Sequence, residues 1–276
     1  MERGRLKRTS DAVRQLFGAD PYRRSLERMF EEERRQDVGA TYFLKAGAES
    51  LHDVAYSLDR GFVSDFIDRL RETGVEIGLH PGYYSGDHPE RYRSEFDRLT
   101  ERLSTPARLA RHHYLRYHDP VSARIQRELG IVVDAGLGWA DREGFRSGTT
   151  VPHLYFDPVA NEPVPLWRVP LTAMDSTFFG YRDLGPEEAL DRSVELMRIC
   201  RRFRGLFTGL WHETAYDGEK RDGGGRDGTG HEKGGSHARS LRVGWGAHFE
   251  GCLAEARDRG ARRGGLSQLL RSYLEE

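Results

Sequence analysis

The chain has 276 residues, enough for one large α/β domain with appendages or two small ones. Its 43 Lys and Arg balance 44 Asp and Glu, which excludes a whole-molecule charge pull toward nucleic acid or an anionic membrane. No stretch approaches the roughly 18 consecutive apolar residues of a spanning helix, and the opening MERGRLKRTS carries no apolar segment of the secretory type. A cytoplasmic protein without membrane insertion is therefore expected. Cys200 and Cys252 have no metal-ligand spacing and read as packed thiols.

Along the chain, Asp20 to Arg35 places Leu26, Met29 and Phe30 at helical spacing among charges, which predicts an amphipathic helix. Ala40 to Leu44 (ATYFL) is a short β-rich run. Gly61 to Thr73 returns to helical spacing through Phe62, Phe66, Ile67 and Leu70, and Gly74 closes it as a C-cap before the strand VEIGLH. Pro89 to Leu103 predicts another helix. Ala107 to Tyr117 (ARLARHHYLRY) contains a strand and leads to a helix starting near Asp119-Pro120. The strand Ile131 to Ala135 precedes an irregular stretch rich in Gly, Pro and aromatics. Then come LWRVPLT, a helix over Pro186 to Phe203 and the strand Gly205 to Trp211. Alternating helices and β-runs predict a parallel sheet, open or closed into a barrel.

Three segments follow from composition: an α/β domain over 1–216, a Gly-rich loop over 217–235, and a helical segment over 236–276 that packs on the same domain. The Gly-rich loop is no phosphate cradle, because no strand runs into it toward a Gly-Lys-Ser/Thr ending. The run Arg198 to Arg204 reads as a solvated helix end, where cations suit the macrodipole. Trp167 and Tyr155 read as core or rim.

In a parallel α/β fold the ligand site lies at the C-terminal strand ends. These ends are polar here: His80 after VEIGL, Arg111, His112 and His113 in ARHHY, Asp134 in IVVDA, Asp175 after PLTAM, and His212 after GLW. Imidazole, carboxylate and guanidinium groups converging in this way suit a divalent metal with an open position for water. The segment Gly138 to Thr149 adds Trp139 as a stacking face and Asp141, Arg142 and Arg146 as groups able to grip sugar hydroxyls. As a surface loop it would instead hold only an Asp-Arg pair of small energetic weight.

The order of a strand ending in His, an Arg-bearing segment, a strand ending in Asp and a final Leu-x-His resembles the metal-dependent polysaccharide deacetylases of carbohydrate esterase family four, over about Thr41 to His212. The wording RHHYLRY, DAGLGWADREGFRSGT, PLTAMD and LWHET resembles a divergent branch of deacetylase-like proteins. The resemblance implies an irregular (β/α) barrel that lacks its first strand, and a divalent metal, zinc first, with His80 as one ligand. His113 stands in for the ligand lost where Tyr84 occupies the second His position, with His88 as another group in reach. Arg111-His112-His113-Tyr114 takes the place of Arg-x-Pro-Tyr. His212 becomes the acid, Arg111 or Arg116 holds a substrate oxygen, and Asp134 or Asp175 orients a neighbouring imidazole, with Trp211 beside the acetyl pocket.

The sequence departs from that pattern at its start, since MERGRLKRTSDAV has no strand ending in an Asp pair. The first strand is expected upstream of Met1, or the base has been lost. Deacetylation of an N-acetylated sugar or polysaccharide is the expected activity. A non-catalytic carbohydrate-binding or scaffold protein on the same fold is the rival, and another metal-dependent hydrolase on a related barrel the third reading.

Overall fold

The computed structural model describes residues 21–47, 50–213 and 245–275. The Gly-rich segment 217–235 and the start of the chain lie outside the described residues. Among the described residues no helix is long and apolar enough to cross a membrane.

The first helix, α1 (Pro21–Arg35), buries Met29 and Phe30. It leads to β1 (Thr41–Leu44), α2 (Gly61–Glu72) and β2 (Glu76–Leu79). The predicted C-cap holds: Gly74 has φ +68, a left-handed turn that glycine adopts without a Cβ penalty. Phe30, Tyr42 and Phe66 meet edge to face at 5.6 to 6.5 Å between ring centroids and lock these two helices onto β1. Next come α3 (Pro89–Leu103), β3 (Leu109–Ala110), α4 (Val121–Glu128) and β4 (Val133–Leu137). Pro89 opens α3 where a missing N–H costs nothing.

The irregular stretch of the sequence holds an unpredicted hairpin. β5 (His153–Asp157) pairs antiparallel with β6 (Glu162–Pro170), so the strand expected at LWRVPLT starts several residues earlier. After β6 follow β7 (Ala173–Met174), a wide turn over Thr177–Tyr181, α5 (Pro186–Arg202), β8 (Gly209–Leu210), α6 (Trp245–Asp258) and α7 (Leu266–Leu274). The strand expected over Gly205 to Trp211 is shortened to two residues. Before it, Gly205 packs so closely on Thr150 that an added Cβ would stand 1.9 Å from its hydroxyl, and Leu206 N donates to Thr150 O at 2.9 Å.

Six strands form one sheet in the order β1-β2-β3-β4-β6-β5, parallel except for β5, while β7 and β8 form a second parallel pair. Leu171 N–H to Leu137 O and Thr172 N–H to Thr208 O, both 3.0 Å, carry the chain from β6 into the second pair, so the strands form one curved array. Among the described residues β1 pairs only with β2 and β8 only with β7.

One face of the sheet packs Leu79, Ala110 and Leu166 against Tyr92, Phe96 and Leu99 of α3 and Ala123 and Ile125 of α4. The other packs Leu109, Val133, Ala135 and Val169 against Leu266 and Leu270 of α7. Leu109 and Ala110 point to opposite faces, as the two-residue period of a strand requires. The start of α7 is held by Thr41 Oγ1, which accepts from Leu266 N at 2.9 Å, and by the Glu76 carboxylate, which accepts from Ser267 N at 3.2 Å. An anion at a helix N-terminus meets its unpaired N–H groups.

Between β1 and β3, Gly78 lets the strands approach: a Cβ there would lie 2.6 Å from the Phe43 ring and 3.0 Å from Leu109 O. Gly78→Ala is expected to cost about 1–3 kcal/mol through overpacking. A urea unfolding curve would show a lower midpoint at unchanged slope.

Candidate active site

Register brings the polar strand ends level. Leu44, Leu79, Ala110 and Asp134 lie in one row across the parallel strands. The next row toward the C-terminal ends is therefore Lys45, His80, Arg111 and Ala135. In the second pair Met174 is level with Leu210, so Asp175 and Trp211 follow side by side, with His212 one residue on.

At this end of β8, His212 Nδ1 donates to Asp175 Oδ1 at 2.7 Å, and its backbone N–H donates to Asp175 Oδ2 at 2.5 Å. The Asp175 side chain is fully buried, while that of His212 keeps 40 % exposure. Burial alone would lower the His212 pKa, but the charge and hydrogen bond of Asp175 outweigh it and raise it above the ordinary histidine value. An imidazole fixed through Nδ1 leaves Nε2 for proton transfer.

Across from this pair, the His80 and His113 rings stand edge to face at 5.1 Å. His80 Nδ1 donates to Arg111 O at 2.5 Å, which fixes its tautomer. Burial lowers the His80 pKa well below its usual value, with the nearby His113 and Lys45 adding to the effect. Burial and the charge of Lys45 bring His113 down to about 4. Arg111 is buried, lies over the Phe43 ring and donates through Nε to Ala135 O at 2.9 Å. Its neighbour His112 turns away into the core between Tyr92 and Tyr117.

Asp134 is 1 % exposed, and burial pushes its carboxyl up to about 6 although Arg168 acts the other way. A carboxyl whose folded pKa is raised stabilises the fold fully below its unfolded value, near 3.8, and loses that contribution as pH rises through about 6. Asp134→Asn is expected to flatten this part of the stability profile, measured as urea midpoints between about pH 4 and 6. A slope identical to that of the parent chain would remove Asp134 as its source. Glu33, pushed up to about 7 by burial, acts in the same direction and remains in the variant.

Lys45 and Asp53 complete the cluster, and neither is among the residues predicted from sequence. Lys45 Nζ pairs with Asp53 Oδ1 and lies 2.7 Å from His113 Nδ1, which itself stands 2.8 Å from Asp53 Oδ1. Asp53 also accepts from Ser50 Oγ at 2.7 Å and from Tyr83 N at 3.1 Å. Burial would raise its carboxyl, but bonds from Lys45 and Ser50 and the Lys45 charge hold it down to about 2. Strand-end position could have marked Lys45, since it follows ATYFL just as His80 follows VEIGL. Asp53 sits in the following loop, where no spacing rule operates.

The other predicted residues spread around this cluster. Arg116 lies over the Tyr83 ring at 4.2 Å and donates to its hydroxyl at 3.1 Å. Tyr83 stacks on His52 and meets the exposed Tyr84 and Tyr114 edge to face, making an aromatic rim that the sequence did not single out. Trp211 folds over Gly209 and donates through Nε1 to His248 Nδ1 at 3.3 Å, so its indole N–H is engaged by α6. Asp141 and Arg142 form an exposed pair at 2.9 Å, with Arg142 over the Trp139 ring at 5.5 Å. Arg146 donates to Gly138 O at 2.9 Å and braces that loop. His88 is exposed beside Asp87, and Tyr84 lies on the outer rim.

Among the described residues no three His, Cys, Asp or Glu side chains are arranged to hold a metal. At the two neighbouring imidazoles the third group is an ammonium, and Asp53, the carboxylate beside His113, is already paired with it. As folded, this set does not fit a closed zinc site, which takes neutral imidazoles and free carboxylates or thiolates.

A largely parallel array with helices on both faces and a polar cluster at its C-terminal strand ends is an α/β fold of the (β/α)-barrel kind. The chain is similar to a crystal structure of a candidate polysaccharide deacetylase from Mycobacterium smegmatis, with TM-score 0.62 and 15% identity over 97% of this chain and 84% of that one. It is also similar to the crystal structure of Puue allantoinase, with TM-score 0.53 and 15% identity over 90% of this chain and 71% of that one. No protein-family model matches the sequence, and no curated protein matches it. At these identities the likeness establishes the fold, and function rests on the site.

Proposed function

We propose that the chain acts on an N-acetylated sugar or polysaccharide, hydrolysing the acetamide to acetate and a free amine. The observation that carries this reading is the His212–Asp175 pair at the end of β8, near enough to His80, His113 and Arg111 for their charges to act on one another, on a fold similar to that of a candidate polysaccharide deacetylase. In the reaction, water adds to the acetyl carbon, the carbon–nitrogen bond breaks, and His212 Nε2 gives its proton to the departing amine; the two protons of the water pass to solvent, one of them returning to His212. Asp175 holds the imidazole in the donating orientation and favours its protonated form. Arg111, fixed by its bond to Ala135 O, faces the developing oxyanion. Tyr84 and Tyr114 offer exposed ring faces for the apolar side of a pyranose, with Arg116 positioned behind them by Tyr83. Metal dependence, with zinc as the first candidate, belongs to this reading as an expectation of the fold. With the Lys45 ammonium against Asp53 and His113, the imidazoles of His80 and His113 do not by themselves make a zinc site, and no step is assigned to the ion.

The non-catalytic carbohydrate-binding reading is favoured by one observation, the Lys45 ammonium bound between Asp53 and His113. Acetate release and binding of N-acetylated oligosaccharides, measured side by side, decide between the two. Release that follows binding supports the hydrolase. Binding without release supports the binder.

A further inference from the structure

The cluster of Lys45, Asp53, His80 and His113 has an unusual arrangement of charge. Asp53 Oδ1 and His113 Nδ1 stand 2.8 Å apart, and the Lys45 ammonium contacts both, at 2.7 Å from the ring nitrogen. The Lys45 and Asp53 side chains are only 9 % and 2 % exposed, so solvent does little to weaken the pair. Ser50 Oγ and Tyr83 N hold the carboxylate from the other side. The backbone N–H of Lys45 donates to Tyr56 OH at 2.7 Å, which fixes the chain at the point where the side chain leaves it.

We propose that Lys45 is a built-in cation: its ammonium occupies the position between Asp53 and His113 that a divalent metal would need, and so keeps a latent His80, His113 and Asp53 donor set from taking one. Two imidazoles and a carboxylate are a donor set that zinc accepts once the carboxylate is free. Exchanging Lys45 for a neutral side chain removes the repulsion and releases Asp53 as a ligand. The inference concerns the same cleft as the deacetylation reading but does not rest on it, since zinc affinity and acetate release are read separately.

Zinc is titrated calorimetrically into the intact chain and into Lys45→Met, Lys45→Gln and Lys45→Arg. The parent chain and Lys45→Arg, which keeps the positive charge, are expected to bind zinc weakly. Lys45→Met and Lys45→Gln are expected to take one equivalent at least about a hundredfold more tightly, from the loss of a unit charge at bonding distance. The gain should vanish when His80→Ala is added. The neutral variants leave Asp53 unpaired, so their melting temperature should rise on zinc addition more than that of the parent. Lys45→Gln keeps a hydrogen-bonding side chain and serves if Lys45→Met fails to fold. Tight stoichiometric zinc in the parent chain that is lost in His80→Ala would overturn the proposal. So would folded neutral variants with no gain in affinity.

Discussion

Replacing His212 by Ala is expected to lower turnover of an N-acetylated oligosaccharide by about 10²–10⁴-fold, the usual worth of a positioned general acid, while its dissociation constant stays close to that of the parent. On the proposed reading the two tasks are separate: His212, at the end of β8, gives the proton, while the sugar is held by the aromatic rim of Tyr83, Tyr84 and Tyr114 with Arg116. Asp175→Asn should show an intermediate loss with a diagnostic pH signature. His212 must be protonated to act as the acid, so activity falls as pH rises through its pKa. The Asp175 charge raises that pKa, and removing it moves the falling limb of the profile to lower pH. An unchanged turnover number in His212→Ala, or an unmoved limb in Asp175→Asn, sinks the assigned roles.

Leu79→Ala is expected to destabilise the chain by about 2–5 kcal/mol, the range for emptying a fully buried leucine site. Leu79 has no exposed surface and sits between Leu44 and Ala110 in register, against α3. It immediately precedes His80, whose N–H donates to Leu44 O at 2.8 Å, so the cavity opens beneath the site. Urea unfolding would report the loss. A cost below about 1 kcal/mol would mean that the neighbouring strands collapse into the space, since the penalty scales with the cavity that remains.

The fold was legible wherever a local signal existed. Apolar residues at helical spacing found α2, α3 and α5, and Gly74 found the end of α2, because these depend on neighbours in sequence. The hairpin of β5 and β6 was missed because its turn at Asn161, with φ +56, lies inside a stretch that reads as irregular, and the antiparallel partner must come from outside the βα rhythm. Before the short β8, the chain at Gly205 and Leu206 is held against Thr150, a contact across 55 positions of sequence that no local pattern encodes.

The same division holds for the site. The sequence by itself determined that polar residues end the strands, since one residue past each apolar β-run stands His80, Arg111, Asp175 or, after Trp211, His212, and strand ends in a parallel array share one face. Only the tertiary structure decided their relations. It paired His212 with Asp175, turned His112 into the core while His113 meets Lys45, and brought Asp53 from a loop to the Lys45 ammonium. The physical reason is that spacing along a strand sets which row a side chain occupies, whereas charge pairing depends on distances between strands and loops far apart in sequence.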